Sequence, residues 1–196
     1  MSNAVAVVLA AYLFGSVPTA LILSHVMGRG DIRRLGDGNM GARNATRMLG
    51  WGAGAVVAGV DFSKGALAVA AARQVDAILW LPLAAGFAAV LGHDFPIWVG
   101  FRGGQGMATS LGGLSLLMPE ATLWGLAAFA AAYLVTRLFD LSAGIGLGLL
   151  VFLAWRAGES TAWVAYAGSM FVLIAIKKRL DMPRRRALKD SASRRA

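Results

Sequence analysis

The sequence predicts an all-α integral membrane protein, a seven-transmembrane-helix bundle with its N-terminus outside and its C-terminus cytoplasmic. Three observations carry that prediction. Of 196 residues, 58% are hydrophobic and 15% charged, with a mean hydropathy of +0.64, which is too apolar for a soluble domain of this length. The apolar residues fall in runs near the ~20 residues that a bilayer demands. Finally, of the 19 Lys and Arg, all but Lys64, Arg73 and Arg156 gather in alternate connections or in the last twenty residues, as the positive-inside rule requires of cytoplasmic segments.

In chain order the expected spans are Ala4 to His25, Gly50 to Ala72, Ala77 to Leu91, Gln105 to Met118, Ala121 to Thr136, Leu141 to Trp155 and Thr161 to Ile176. The first lacks a basic leader and a small-residue cleavage site and reads as a retained helix. Glycines 52, 54 and 59 in the second, and 144, 146 and 148 in the sixth, suggest close helix packing. Residues 1–180 form one membrane domain, and residues 181–196 a basic cytoplasmic tail suited to anionic lipid headgroups.

The formal net charge of +9 is explained by topology, and no nucleic-acid partner is expected. With no cysteine and two separate histidines, neither a disulfide framework nor a metal cluster is expected, and no cofactor is called for. A transporter would need polar residues along its helices, and only Asp61 and Lys64 lie deep in a span. At i,i+3 those two read either as a self-neutralising pair or as direct ligand contacts, and either reading turns that face into the bundle.

The stretch from Asp31 to Arg47 stands apart, polar and rich in glycine. Gly36, Gly38 and Gly41 let successive backbone N–H groups face one concave spot, and Asn39, Asn44, Arg33, Arg34, Arg43 and Arg47 surround it with donors suited to a phosphate. A second loop on the same side runs through His93 to Arg102-Gly-Gly-Gln-Gly-Met107. Gly103, Gly104 and Gly106 there precede a helix N-terminus, a pattern that seats anions. His93 reads either as an acid or base or as a structural hydrogen-bonding residue.

Taken in order, Tyr12-Leu-Phe-Gly-Ser-Val-Pro18, Asp31-Ile-Arg33, Gly36-x-Gly-Asn-x-Gly-Ala-x-Asn44 with Arg47, Asp61-x-x-Lys-Gly65, Gly92-His-x-Phe-Pro96 and Phe101-x-Gly-Gly-x-Gly-x-Ala-Thr109 resemble the bacterial acyl-phosphate:glycerol-3-phosphate acyltransferases, the PlsY family. The resemblance implies a multi-pass enzyme of the bacterial inner membrane that makes lysophosphatidic acid from acyl phosphate and glycerol 3-phosphate. It implies catalytic roles for Arg47, Asn39 and Asn44. Phosphate and substrate contacts would come from Gly36, Asp37, Gly38, Gly41, Arg43, Gly103, Gly104, Gln105, Gly106 and Ser142, with Asp61, Lys64 and His93 as structural polar residues.

The chain departs from that pattern at several polar positions. Asp37 stands where the family has serine, Gln105 where it has lysine, and Asp140 where it has serine, leaving Ser142 nearby. Leu173 and Ile176 replace a histidine and an asparagine ahead of Lys178-Arg-Leu180, and Asp181-Met-Pro183 replaces a following glycine and glutamate. Arg43 takes the place of a threonine. The alternative expectation is therefore a divergent paralogue with another acceptor, or a non-catalytic lipid-binding or partner protein on the same fold.

Overall fold

The computed structural model describes residues 2–75 and 80–193. Their regular structure is helical throughout, with no strand among the described residues. Four stretches are long and apolar enough to cross a membrane, Asn3–Val26, Trp51–Val75, Trp80–Val99 and Phe139–Arg156, and Met107–Leu117 is a shorter apolar helix.

The first expected span is two helices, α1 (Ser2–Gly15) and α2 (Thr19–Val26). Pro18 accounts for the break, since it has no N–H to donate and disfavours helical geometry at Val17. The freed Val17 carbonyl accepts from Thr19 N at 3.0 Å and from Lys64 Nζ at 2.7 Å, so the break is a built feature. Beyond it, the stretch expected to be all loop contains a helix, α3 (Ala42–Leu49), which carries Arg43, Asn44 and Arg47.

Helix α4 (Trp51–Val75) and helix α5 (Trp80–Asp94) follow. The expected start of the third span, Ala77, lies outside the described residues. Its expected end at Leu91 was early, because α5 keeps its hydrogen bonds through Asp94 and places Gly92, His93 and Asp94 on a buried helix end. The next helix, α6 (Met107–Leu117), starts after Gln105, where Gly106 takes a left-handed turn at φ 66°. Helices α7 (Pro119–Thr136) and α8 (Phe139–Arg156) form an antiparallel pair. The last helix, α9 (Thr161–Ser193), runs seventeen residues past the expected end at Ile176.

Small residues set the closest approaches. Gly65 of α4 abuts the backbone of Thr109 and Gly113 in α6, and Gly112 abuts Phe62; Gly125 of α7 and Gly146 of α8 meet each other. The expectation of close packing fails at Gly52, Gly59, Gly144 and Gly148, which meet nothing within 4 Å because they lie on the opposite faces of their helices. An apolar core of Val69, Val90, Leu114, Leu117, Met118, Leu150 and Met170 joins α4, α5, α6, α8 and α9. At one end of the bundle the polar segments collect. Arg33 reaches Val99, Lys178 reaches Asp140, and Arg184 reaches Gly38.

Candidate active site

The first loop is held by its own side chains. Asp31 accepts from Arg33 N at 2.9 Å and opens a short turn over Ile32–Arg34. The Arg33 guanidinium folds back on that carboxylate, with Nη2 at 2.8 Å, while Nη1 donates to the Val99 carbonyl at 2.8 Å and ties the two polar loops together. These hydrogen bonds from Arg33 hold the Asp31 carboxyl below the usual carboxylate range.

Further along, Asp37 Oδ1 accepts from Asn39 N at 3.1 Å and Asn39 Oδ1 accepts from Gly41 N at 2.7 Å, two successive side-chain turns. Asn44 is buried and fully engaged. Its Nδ2 donates to Leu35 O and Asn39 O, and its Oδ1 accepts from Asp37 N. Gly38, at φ 70°, has no room for a side chain beside Arg33 O and the Leu188 methyl.

The second loop turns back on the end of α5. Gly103 N donates to Asp94 O at 3.1 Å and Gly104 N to His93 O at 3.0 Å. A side chain at Gly104 would strike the His93 ring. The N–H groups of Gly103 and Gly104 are thus spent within the protein, which corrects the expectation that both face a phosphate. Gly106 remains, and with Met107 and Ala108 it borders the cavity.

That cavity, about 230 Å³, lies between the N-termini of α3 and α6. Neither helix has a side-chain cap, so both present unsatisfied N–H groups and the positive end of a dipole at the same space. Asp37, Asn39, Gly41, Arg43, Asn44, Gln105 and Gly106 line it, together with Asp61, His93, Asp140 and Arg185. The opposite wall is apolar, built from Leu111 of α6, Leu126 and Phe129 of α7, and Ala143, Leu147 and Leu150 of α8.

Beneath the cavity sits a buried charge cluster. Asp61 Oδ1 accepts from Lys64 Nζ at 2.6 Å and Thr19 Oγ1 at 3.2 Å, and His93 Nδ1 lies 3.5 Å away. Asp61 and Lys64 therefore pair as their spacing allows, and Lys64 also braces the break between α1 and α2.

At the mouth the pairs are looser. Asp37 Oδ2 accepts from Arg185 Nη2 at 3.1 Å, and Arg47 Nη1 is 3.9 Å away. Asp140 faces Lys178 Nζ at 2.9 Å and Arg43 Nη1 at 3.8 Å. Arg43 also stacks on the Phe139 ring, 4.6 Å from its centroid. Two carboxylates thus face four cations, which leaves the mouth electropositive.

Arg47 meets this site through Asp37 and does not line the cavity itself. Gly36 and Gly38 shape the turns behind it. Ser142 is buried at the start of α8, donating to Leu138 O at 2.9 Å with Thr136 Oγ1 at 3.3 Å, away from the cavity. Of the replaced positions near the end of the last span, Leu173 packs on the core and Ile176 is exposed. Sequence reasoning missed Arg185 in the site. The available signal was the spacing Lys177, Asp181, Arg184, Leu188, which continues one helical face beyond the apolar run.

An all-helical membrane protein with a cavity cationic at one end and oily at the other defines the class: one built to hold an anionic head and an apolar chain together. The comparisons give the family. The glycerol-3-phosphate acyltransferase family model matches residues 5–187. Glycerol-3-phosphate acyltransferase 1 of Dehalococcoides mccartyi is 38% identical over 94% of this chain and 90% of that protein. The Myxococcus xanthus enzyme of the same name is 41% identical over 87% of this chain and 88% of its own length. The crystal structure of PlsY (YgiH), an integral membrane glycerol 3-phosphate acyltransferase, in its glycerol 3-phosphate form superposes with a TM-score of 0.85 at 31% identity, covering 93% of this chain and 91% of that one. The lysophosphatidic acid form gives 0.83 at 30%, with the same coverage. The chain belongs to the glycerol-3-phosphate acyltransferase family.

Proposed function

We propose that this protein transfers a fatty acyl group from acyl phosphate to glycerol 3-phosphate, yielding lysophosphatidic acid for phospholipid synthesis. The single observation that carries the reading is the cavity: two uncapped helix N-termini with Arg43 and Arg185 at one end, an apolar wall from α6, α7 and α8 at the other. Family membership and the named activities of the relatives support it. Their products join a phosphate head to an acyl chain, as this cavity would require.

The chemistry is positioning and charge stabilisation. An acceptor hydroxyl oxygen attacks the acyl carbonyl carbon, the ester C–O bond forms, the C–O bond to phosphate breaks, and the hydroxyl proton leaves on the inorganic phosphate released. Arg47 and Arg43 stabilise the phosphates with the first-turn N–H groups of α3, Asn39 and Asn44 hold the loop, and Gln105 and Gly106 complete the seat. The acyl chain runs along Leu126, Phe129 and Leu147. Asp61, Lys64 and His93 keep α4, α5 and the α1–α2 break in register beneath.

This reading places the chain in the bacterial inner membrane with seven passes, α1 and α2 counting as one, a membrane domain of residues 1–180 and a cytoplasmic basic segment of residues 181–196. Two measurements test it. Purified protein with acyl phosphate and a panel of acceptors should release phosphate with glycerol 3-phosphate. Release only with uncharged alcohols, or none, would overturn the acceptor assignment. Because the chain has no cysteine, single cysteines at the exposed positions Arg102 and Glu120 report sidedness. The first should label only from the cytoplasm and the second only from outside.

A further inference from the structure

The sequence lacks a cation at position 105, and the fold supplies one from elsewhere. Helix α9 continues past the apolar core, and its face bearing Lys177, Asp181 and Arg184 packs back toward the first polar loop. Lys177 pairs with Asp181 at 2.7 Å, and Arg184 Nη2 donates to Gly38 O at 2.8 Å. The next residue, Arg185, borders the cavity that Gln105 also borders.

Two donors there are buried and unpartnered, Gln105 Nε2 and Arg185 Nε. Buried donors without a partner are costly, so a pair of them lining one cavity marks where an acceptor belongs. Asp37 takes only one guanidinium nitrogen of Arg185, Nη2, and so orients the group while its Nε–H stays without a partner. A buried guanidinium N–H with no acceptor suits a charge-assisted bond to a phosphate oxygen.

Resting on the acyltransferase reading above, we propose that Arg185 is a substrate-binding residue of this enzyme. It grips a phosphomonoester dianion together with Gln105, supplying from α9 the charge that position 105 lacks, with Asp37 as its positioning carboxylate. Glycerol 3-phosphate and acyl phosphate both offer that group, and their separate KM values distinguish them.

The experiment measures phosphate release by the full-length protein in detergent against each substrate in turn. It also measures the shift in thermal midpoint produced by inorganic phosphate alone. Arg185→Ala should raise KM for one of the two substrates roughly 10- to 100-fold, the value of one lost charge-assisted bond. Its thermal midpoint without anion should stay unchanged, and it should abolish the phosphate-induced shift. Arg185→Lys should recover part of the loss, and Gln105→Lys placed in the Arg185→Ala background should recover more. Arg186→Ala, at an exposed neighbour, should behave as wild type.

Unchanged KM for both substrates in Arg185→Ala overturns the proposal. So does full recovery by Asp37→Asn in that background, which would show that the damage came from an unbalanced carboxylate. If wild type does not turn over acyl phosphate with glycerol 3-phosphate, the acyltransferase reading fails. The phosphate-induced shift then still decides for or against Arg185 as an anion ligand.

Discussion

Two sets of carboxylate–cation pairs lie within one site, and they behave as opposites. The Asp61–Lys64 pair is enclosed, with each side chain only 2% exposed, and its geometry is tight. At the mouth, Arg47 is 48% exposed and Asp140 56%, and two of their contacts stretch to 3.9 and 3.8 Å. A buried pair is expensive to break, because either charge left alone has no water. A loose pair near solvent costs little to exchange for another partner. The first set is architecture. The second leaves cations with spare hydrogen-bonding capacity at the cavity mouth, which the phosphate seat proposed above would use.

The sharpest way to break the comparison is at Asp61. Asp61→Asn should cost about 3 kcal/mol or more, lowering the thermal midpoint by on the order of 10 °C, because Lys64 is left buried without its counter-charge. The double variant with Lys64→Met should recover much of this. Recovery will be incomplete, since Val17 O loses its donor and Thr19 and His93 face a neutral amide in place of a carboxylate. Strictly additive losses in a double-mutant cycle would show that the two charges serve separate partners.

Arg47 sits on the other side of the contrast. Its half-exposed guanidinium makes no close bond in the absence of substrate, so Arg47→Ala should leave the thermal midpoint within about 2 °C, the usual range for a surface change. Activity should respond quite differently. The drop in kcat/KM should be roughly 10- to 100-fold if Arg47 meets a phosphate. Equal small effects on both would place Arg47 with the exposed ion pairs that do nothing measurable.

The unequal legibility of these regions has physical causes. The apolar runs announced most helices, and Asp61 and Lys64 announced their pairing, because a charge inside a span three residues from its opposite has few other solutions. Pro18 carried the signal for the α1–α2 break, masked by apolar residues on either side. The short helix α3 was hidden because Gly41 and Asn44 read as loop chemistry, although Asn44 turned out to staple the loop from within the helix. Gly103 and Gly104 were misread because sequence shows that an N–H exists but not where it points. Arg185 was missed for another reason. Its partner Asp37 lies 148 residues away, and Pro183 inside α9 reads as a stop. The helix continues because its polar face finds Gly38 and Asp37 to pack against.

The smallest expected effect belongs to Asp31, which stands between the two sets: a local pair with side chains 22 to 25% exposed. Arg33 lowers its folded-state pKa, so Asp31 stabilises the loop at pH values above its unfolded value of ~3.9. That contribution fades as pH falls through the depressed folded value. Since a partly exposed ion pair is worth at most about 1 kcal/mol, Asp31→Asn should lower stability at neutral pH only slightly. It should make the acid limb of a pH–stability profile shallower, with wild type and variant converging at the acid end. Arg33 also bonds Val99 O and keeps that bond in the variant, so the two polar loops should stay joined. A steeper acid limb in Asp31→Asn would mean that Asp31 bears no part of the acid sensitivity and that the Arg33 bridge alone holds the loop.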